Sequence, residues 1–175
     1  AVHALVAAGS DLGWTPDPLL RLEAIVPPDA ARMAAMAARL RMSKAEGARL
    51  SAWAMTAPVP ATTGEATLAG IAYAGDRQAV EDWLRLGLAS ARARAGQDAG
   101  ALAEAGGFLR LLRFLESWER PVFPVRGGDL AALGLPAGPR MGRLLARLEA
   151  EWAEGGFRLG RDALLARAAE LGTDA

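Results

Sequence analysis

Apolar residues recur every three or four positions along almost the whole chain, and no run of β-branched residues alternates with polar ones. This pattern predicts an all-α protein, an irregular bundle of roughly seven to nine helices that divides into two lobes. The segment 108–118, FLRLLRFLESW, is apolar around most of its circumference, which is typical of a helix that is buried on several sides. We therefore expect it to be the central helix.

Capping residues indicate where several helices begin. Asp17 followed by Pro18 is typical of a helix start, the segment 43–46 (SKAE) spells a capping box, and Asp76 can cap another helix. The predicted helices span residues 18–26, 30–40, 44–55, 77–95, 108–118, 130–133, 140–154 and 161–171.

The segment 57–67, APVPATTGEAT, combines two prolines, a glycine and three threonines, which favours a linker or a long loop. We place a domain boundary here, with a helical segment over residues 1–57 and a second over residues 58–175. A helical hairpin with a glycine-rich turn is predicted at 126–154 within the second segment.

Composition narrows the classes of function. The chain has 175 residues, of which 20 are basic and 20 acidic, so it lacks the long-range positive field of most nucleic-acid and membrane-surface binders. The absence of cysteine excludes disulfides and thiolate metal sites, and no apolar stretch reaches the roughly 18 residues of a membrane span. His3, the single histidine, has no acidic or serine partner nearby in sequence, and the acidic residues show no metal-ligand spacing, so no catalytic or metal-binding residue is predicted.

The predicted helix 140–154 carries one apolar stripe and one basic row. The stripe consists of Met141, Leu144, Leu145, Leu148 and Trp152. Arg140, Arg143 and Arg147 lie within roughly 60° of one another on the helix, about 120° from the centre of the stripe. Arginine in a first turn opposes the helix dipole, whereas the free N–H groups of that turn suit an anion. A bound phosphate would resolve this conflict.

The segment 126–147 has a net charge of +3 in a neutral chain. Its glycines would let a sugar-phosphate backbone approach closely. An ordinary hairpin, with Arg147 paired to Glu151 one turn later, is the alternative. The candidate RNA-binding residues are Arg126, Gly127, Gly128, Gly138, Arg140, Gly142, Arg143 and Arg147.

Two segments carry a resemblance to a known family. The segment 123–130 (FPVRGGDL), with the later Leu133-Gly134, Gly138-Pro139 and Gly142, resembles the C-terminal signature of bacterial, class II type tRNA nucleotidyltransferases and poly(A) polymerases. The segments 21–29 (RLEAIVPPD) and 39–50 (RLRMSKAEGARL) are similar to the helical region after the neck in that family.

The resemblance implies a transferase of tRNA processing that adds CCA to tRNA 3′ ends with ATP, CTP and Mg²⁺. Its catalytic head is absent from this sequence, so we expect an inactive helical body and tail from a longer cytoplasmic protein, with residues 1–57 following the neck. Its partners would be tRNA, held by phosphate contacts at the acceptor arm and elbow, and its own N-terminal head. The alternative function is a helical protein-interaction or dimerisation module, which could form a homodimer and binds no RNA.

One further motif matches a motif of this family but lies at a different position in the chain. The segment 81–85 (EDWLR) fits the EDxxR pattern with which the neck reads the incoming base, but it follows the segment 21–27 instead of preceding it. We interpret the match as coincidence, because the core face of the helix explains Trp83 and Leu84.

Overall fold

The computed structural model describes residues 1–173 and contains two compact units, Ala1–Trp118 (unit 1) and Glu119–Ala175 (unit 2). Within the described residues there are ten helices and no strand, which confirms the all-α prediction. None of these helices is both long and apolar enough to cross a membrane.

Unit 1 contains seven helices. They are α1 (Val2–Leu12), α2 (Pro18–Glu23), α3 (Ala30–Arg39), α4 (Lys44–Met55), α5 (Glu65–Ala74), α6 (Arg77–Arg94) and α7 (Ala99–Ser117). The predicted caps are confirmed. Asp17 accepts hydrogen bonds from the N–H groups of Leu19 and Leu20, and Asp76 accepts one from Ala79. Ser43 and Glu46 form both bonds of the capping box.

Helix α6 is the centre of unit 1. Its buried residues take part in three apolar clusters of the described residues: Leu84 packs with α5 and α7, Ala89 with α1 and α2, and Ala79 with α3 and α4. The predicted central segment 108–118 belongs to α7, which contributes to only one of these clusters. Its broad apolar surface is buried on one side by α6 and on the other by α5 and the preceding loop.

Two helices were not predicted, α1 and α5. Neither has a side-chain cap, since Ala1 and Gly64 occupy the N-cap positions. Helix α7 also begins nine residues before its predicted start, where Asp98 caps it by accepting a hydrogen bond from Gly100. Three glycines in its first half lower its helix propensity, so the tertiary contacts of α6 decide the conformation of this stretch.

The segment between α4 and α5 is packed into unit 1. Val59 is 5% exposed and belongs to the core of α5, α6 and α7, and Arg110 donates a hydrogen bond of 2.8 Å to the carbonyl oxygen of Thr63. The compact units consequently divide after Trp118, not at the expected boundary between residues 57 and 58. The assignment of 1–57 and 58–175 to parts of an enzyme stays a prediction.

The adjacent glycines of α7 allow a sharp test of this packing. A Cβ at Gly107 would lie 2.5 Å from the carbonyl oxygen of Ala61, whereas a Cβ at Gly106 would meet no atom within 4 Å. Because backbone cannot yield as a flexible side chain can, we expect Gly107→Ala to lower the free energy of unfolding by about 1–3 kcal/mol. Gly106→Ala should raise it by about 0.5–1 kcal/mol. Urea titration of both variants measures the contrast, and equal effects would contradict the packing.

Unit 2 contains α8 (Gly127–Ala132), α9 (Pro139–Glu154) and the described part of α10 (Arg161–Thr173). Its buried residues include Leu130 of α8, Leu148 of α9, and Leu164 of α10. The Trp152 ring lies between two aromatic neighbours, 5.4 Å from the ring centre of Phe123 and 5.0 Å from that of Phe157. This aromatic cluster joins the extended segment before α8 to the turn after α9, so it holds α9 against its neighbours.

Candidate RNA-binding surface

The apolar stripe of α9 faces the core of unit 2, as predicted. Met141, Leu148 and Trp152 are buried, and Leu144 and Leu145 are half-buried. Gly138 precedes the helix at φ +148°, a backbone conformation that L side chains rarely adopt. The helix thus begins at a glycine and a proline that leave its first N–H groups without a side-chain cap.

Arg140, Arg143 and Arg147 are all exposed, whereas Met141, Leu148 and Trp152 of the same helix are buried. Together with Leu144 and Leu171 of α10 they line an open depression of about 410 Å³. Arg143 makes no hydrogen bond or ion pair to any described residue. The three guanidinium groups therefore border one concave surface, which we call the arginine depression.

Arg147 has an internal partner within α9. Arg147 donates a hydrogen bond of 3.0 Å to Glu151, the pairing expected for an ordinary hairpin. Glu151 also accepts a bond of 3.1 Å from Arg167 of α10, and this bond, ahead of the one from Arg147, lowers the pKa of the Glu151 carboxyl. Arg167 also donates a hydrogen bond of 2.9 Å to Glu170, so the two carboxylates of Glu151 and Glu170 compensate the guanidinium groups of Arg147 and Arg167. Arg167 was not among the predicted residues, since it comes from a different helix.

The start of α8 forms a separate group. The Asp129 carboxylate accepts hydrogen bonds from the N–H of Arg126, at 2.7 Å, and from the guanidinium of Arg161, at 2.6 Å. Arg161 is the larger cause of the lowered pKa of Asp129. Arg126, Gly127 and Gly128 do not line the arginine depression. The structure thus brings three of the eight predicted residues together in one depression.

The glycines differ in what the fold requires of them. A Cβ at Gly127 would make an ordinary van der Waals contact with Met141 at 3.5 Å, so packing does not require glycine there, whereas the φ of +148° at Gly138 favours glycine. Gly128 and Gly142 are exposed, and a Cβ at either would meet no atom within 4 Å. Nothing in the described chain requires glycine at these two positions, and the same holds for Gly96, Gly106 and Gly160 elsewhere in the chain, so a role for Gly128 and Gly142 in RNA binding stays a prediction.

The EDxxR segment in α6 has a structural role. Asp82 is completely buried and accepts hydrogen bonds of 2.9 and 2.8 Å from Arg49 of α4. Glu81 and Arg85 form an ion pair within α6. The buried bridge accounts for the motif in this chain without any role in base recognition.

Among the described residues, no group of three or more His, Asp or Glu side chains is arranged to hold a metal ion.

No protein-family model matches the chain. The chain is similar to CCA tRNA nucleotidyltransferase 1, mitochondrial, from three vertebrates. The mouse (Mus musculus) protein is 38% identical over 55 residues, the human (Homo sapiens) protein 36% over 55 residues, and the zebrafish (Danio rerio) protein 38% over 56 residues.

The similarity is partial on both sides. It covers 31–32% of this chain and 13% of the length of each relative. It supports a relation between a helical region of this chain and the CCA-adding enzymes. Since all three relatives are mitochondrial proteins of vertebrates, the comparison does not extend to the bacterial type that the sequence motifs resemble.

Proposed function

We propose that the chain is the tRNA-positioning helical arm of a tRNA nucleotidyltransferase. The observation that carries the proposal is the similarity to CCA-adding enzymes in a chain whose helix α9 exposes Arg140, Arg143 and Arg147 around one depression. Arginine suits this task because its planar fork contacts phosphate oxygens in a bidentate manner. Phosphate contacts fix the register of a nucleic acid without reading its bases, as an arm that positions tRNA requires.

The first turn of α9 supports the proposal further. Its N–H groups lie at the positive end of the helix dipole, beside Arg140 and next to the open position of Gly142. A phosphate of an RNA backbone at this end would be attracted by both the dipole and the guanidinium groups. Arg126 and Gly128, at the start of α8, would provide a second contact along the same strand.

The proposal extends to the protein that would contain this arm. A catalytic head of the bacterial class II or poly(A) polymerase type would bind Mg²⁺, ATP and CTP and would add nucleotides to the tRNA 3′ end. The arm would raise the effective concentration of tRNA at that head, so weak binding by a neutral chain is sufficient. A cytoplasmic location is part of the same proposal.

The proposed role of the arginine depression can be tested by measuring tRNA binding. We expect the chain to bind tRNA at about 50 mM salt, and the triple variant Arg140→Ala/Arg143→Ala/Arg147→Ala to bind at least about tenfold more weakly. The slope of log Kd against log salt should fall by about 0.7–0.9 for each phosphate contact that is lost. Filter binding or fluorescence anisotropy over a salt series measures both quantities.

A matched variant controls for net charge. Arg32→Ala/Arg39→Ala/Arg113→Ala removes three exposed arginines of unit 1 and should bind tRNA almost as the parent does. If the two triple variants lose the same affinity, the effect is one of overall charge and the arginine depression is wrongly assigned.

Sedimentation with and without tRNA tests the alternative function. A stable dimer that forms equally in the presence and absence of tRNA, and does not bind it, would indicate a protein-interaction module.

A further inference from the structure

A half-open cavity of about 380 Å³ lies on unit 1, bordered by α1, α2, α4 and α6. Its walls are mainly apolar and aromatic, and they include Leu5, Val26, Trp53, Trp83 and Leu86. The volume falls in the lower part of the range of small-molecule sites, about 300–1,000 Å³. The cavity shares no lining residue with the arginine depression, which belongs to unit 2.

Glu23 of α2 also lines the cavity, and it is the chemically unusual member of the lining. The residue is 3% exposed, yet neither carboxyl oxygen has a hydrogen-bond partner among the described residues. The indole N–H of Trp53 is likewise buried without a partner. Buried polar groups are nearly always paired in folded proteins, so the unpaired carboxyl group of Glu23 in the cavity lining indicates a site that a ligand completes.

The charges around Glu23 favour a cation. Arg49 is shared between Asp82 and Asp17, so this cluster carries a net negative charge beside the cavity. Arg94, which also lines the cavity, is already paired with Glu104 at 2.6 Å. Burial, followed by the charge of Asp82, raises the pKa of the Glu23 carboxyl to about 8. A cation in the cavity would reverse this shift and ionise Glu23.

The aromatic walls favour the same class of ligand. Trp53 and Trp83 are stacked with ring centres 5.2 Å apart, and the indole N–H of Trp83 donates to the carbonyl oxygen of Trp53. Tryptophan rings attract organic cations through their negative faces, and the aliphatic walls suit an apolar body.

We propose that this cavity binds a small organic cation, a primary amine on an apolar body, with Glu23 as its counter-ion. The ammonium group donates hydrogen bonds to the Glu23 carboxylate, and the apolar body lies against Trp53 and Leu86. Binding near neutral pH transfers the Glu23 carboxyl proton to solvent, since the ion pair forms only with the carboxylate. The carboxylates of Asp17 and Asp82 outnumber the Arg49 guanidinium between them, so their net negative charge disfavours an anion of the same size.

Calorimetry with benzylamine as the probe and benzyl alcohol as its neutral counterpart tests the site in the full chain. We expect benzylamine to bind at least about tenfold more tightly than the alcohol, because a charge-assisted hydrogen bond in a buried site is much stronger than a neutral one. Titration near pH 7 in two buffers that differ in ionisation enthalpy should show the release of nearly one proton per amine bound.

Two variants complete the test. Glu23→Gln keeps the side-chain volume, so it should fold, bind benzylamine at least about tenfold more weakly and release no proton. Glu116→Gln, on the exposed side of α7, should behave as the parent. Equal binding of amine and alcohol, unchanged affinity in Glu23→Gln, or no binding of either probe would each overturn the proposal.

Discussion

Replacing Arg49 by methionine should lower the free energy of unfolding by about 3–5 kcal/mol near pH 7. The Arg49 guanidinium is held by Asp82, which is completely buried, and by Asp17 at the start of α2. Its removal leaves the Asp82 carboxylate in the core with Gln78 as its one remaining side-chain donor among the described residues. An uncompensated buried charge costs far more than the lost attraction of a surface pair. Urea-induced unfolding followed by tryptophan fluorescence measures the change.

Two further variants separate a buried charge from lost packing. Arg92→Met removes an ion pair with Asp11 that is largely exposed, so it should cost no more than about 0.2–1 kcal/mol. In the double variant Arg49→Met/Asp82→Leu both buried charges are gone, and we expect most of the stability to return. If the double variant is as unstable as Arg49→Met, the loss comes from packing and the interpretation is wrong.

The stability of unit 1 should fall as the pH rises from about 5 to about 8, by roughly 3–5 kcal/mol. The pKa of Glu23 is about 8 in the fold, against an ordinary value near 4.5. Between these values the unfolded chain loses the Glu23 proton while the folded chain keeps it, so unfolding becomes more favourable with each unit of pH. Below both pKa values Glu23 contributes no penalty, and above about 8 the penalty is constant.

Urea titrations at several pH values across this window measure the effect. Glu23→Gln cannot ionise, so its stability should be nearly independent of pH here and should exceed that of the parent above pH 8. Glu116→Gln serves as the control with the same chemical change at an exposed position. A decline of equal size in Glu23→Gln and the parent would show that another group titrates.

Loss of stability below pH 4 is a separate effect, since hydrogen bonds lower the pKa values of the Asp17, Asp129 and Glu151 carboxyl groups in the folded chain.

Local signals in the sequence determined much of the helical structure. Asp17, Ser43 with Glu46, and Asp76 mark helix starts because a side-chain cap acts within three residues of itself. The apolar stripe of α9 could be predicted equally well, since the helical period alone places Arg143 on the other side of the helix from Leu148. Helix α5 has no such local signal, because Gly64 occupies its N-cap and its contacts come from α6 and α7. The same holds for the loop around Val59, which is composed like a linker and is nevertheless packed in the core.

Charge compensation was decided by the tertiary structure. The sequence places Arg140, Arg143 and Arg147 on one face of α9. The pairing of Glu151 with Arg167 and of Asp129 with Arg161 depends instead on how α10 packs beside α8 and α9. The cavity at Glu23 is the clearest case. Nothing in the segment RLEAIVPP marks Glu23 as unusual. The convergence of four helices removes its carboxyl group from water and leaves it without a hydrogen-bond partner among the described residues. Helix starts and faces follow from neighbours along the chain, whereas burial and pairing follow from neighbours in space.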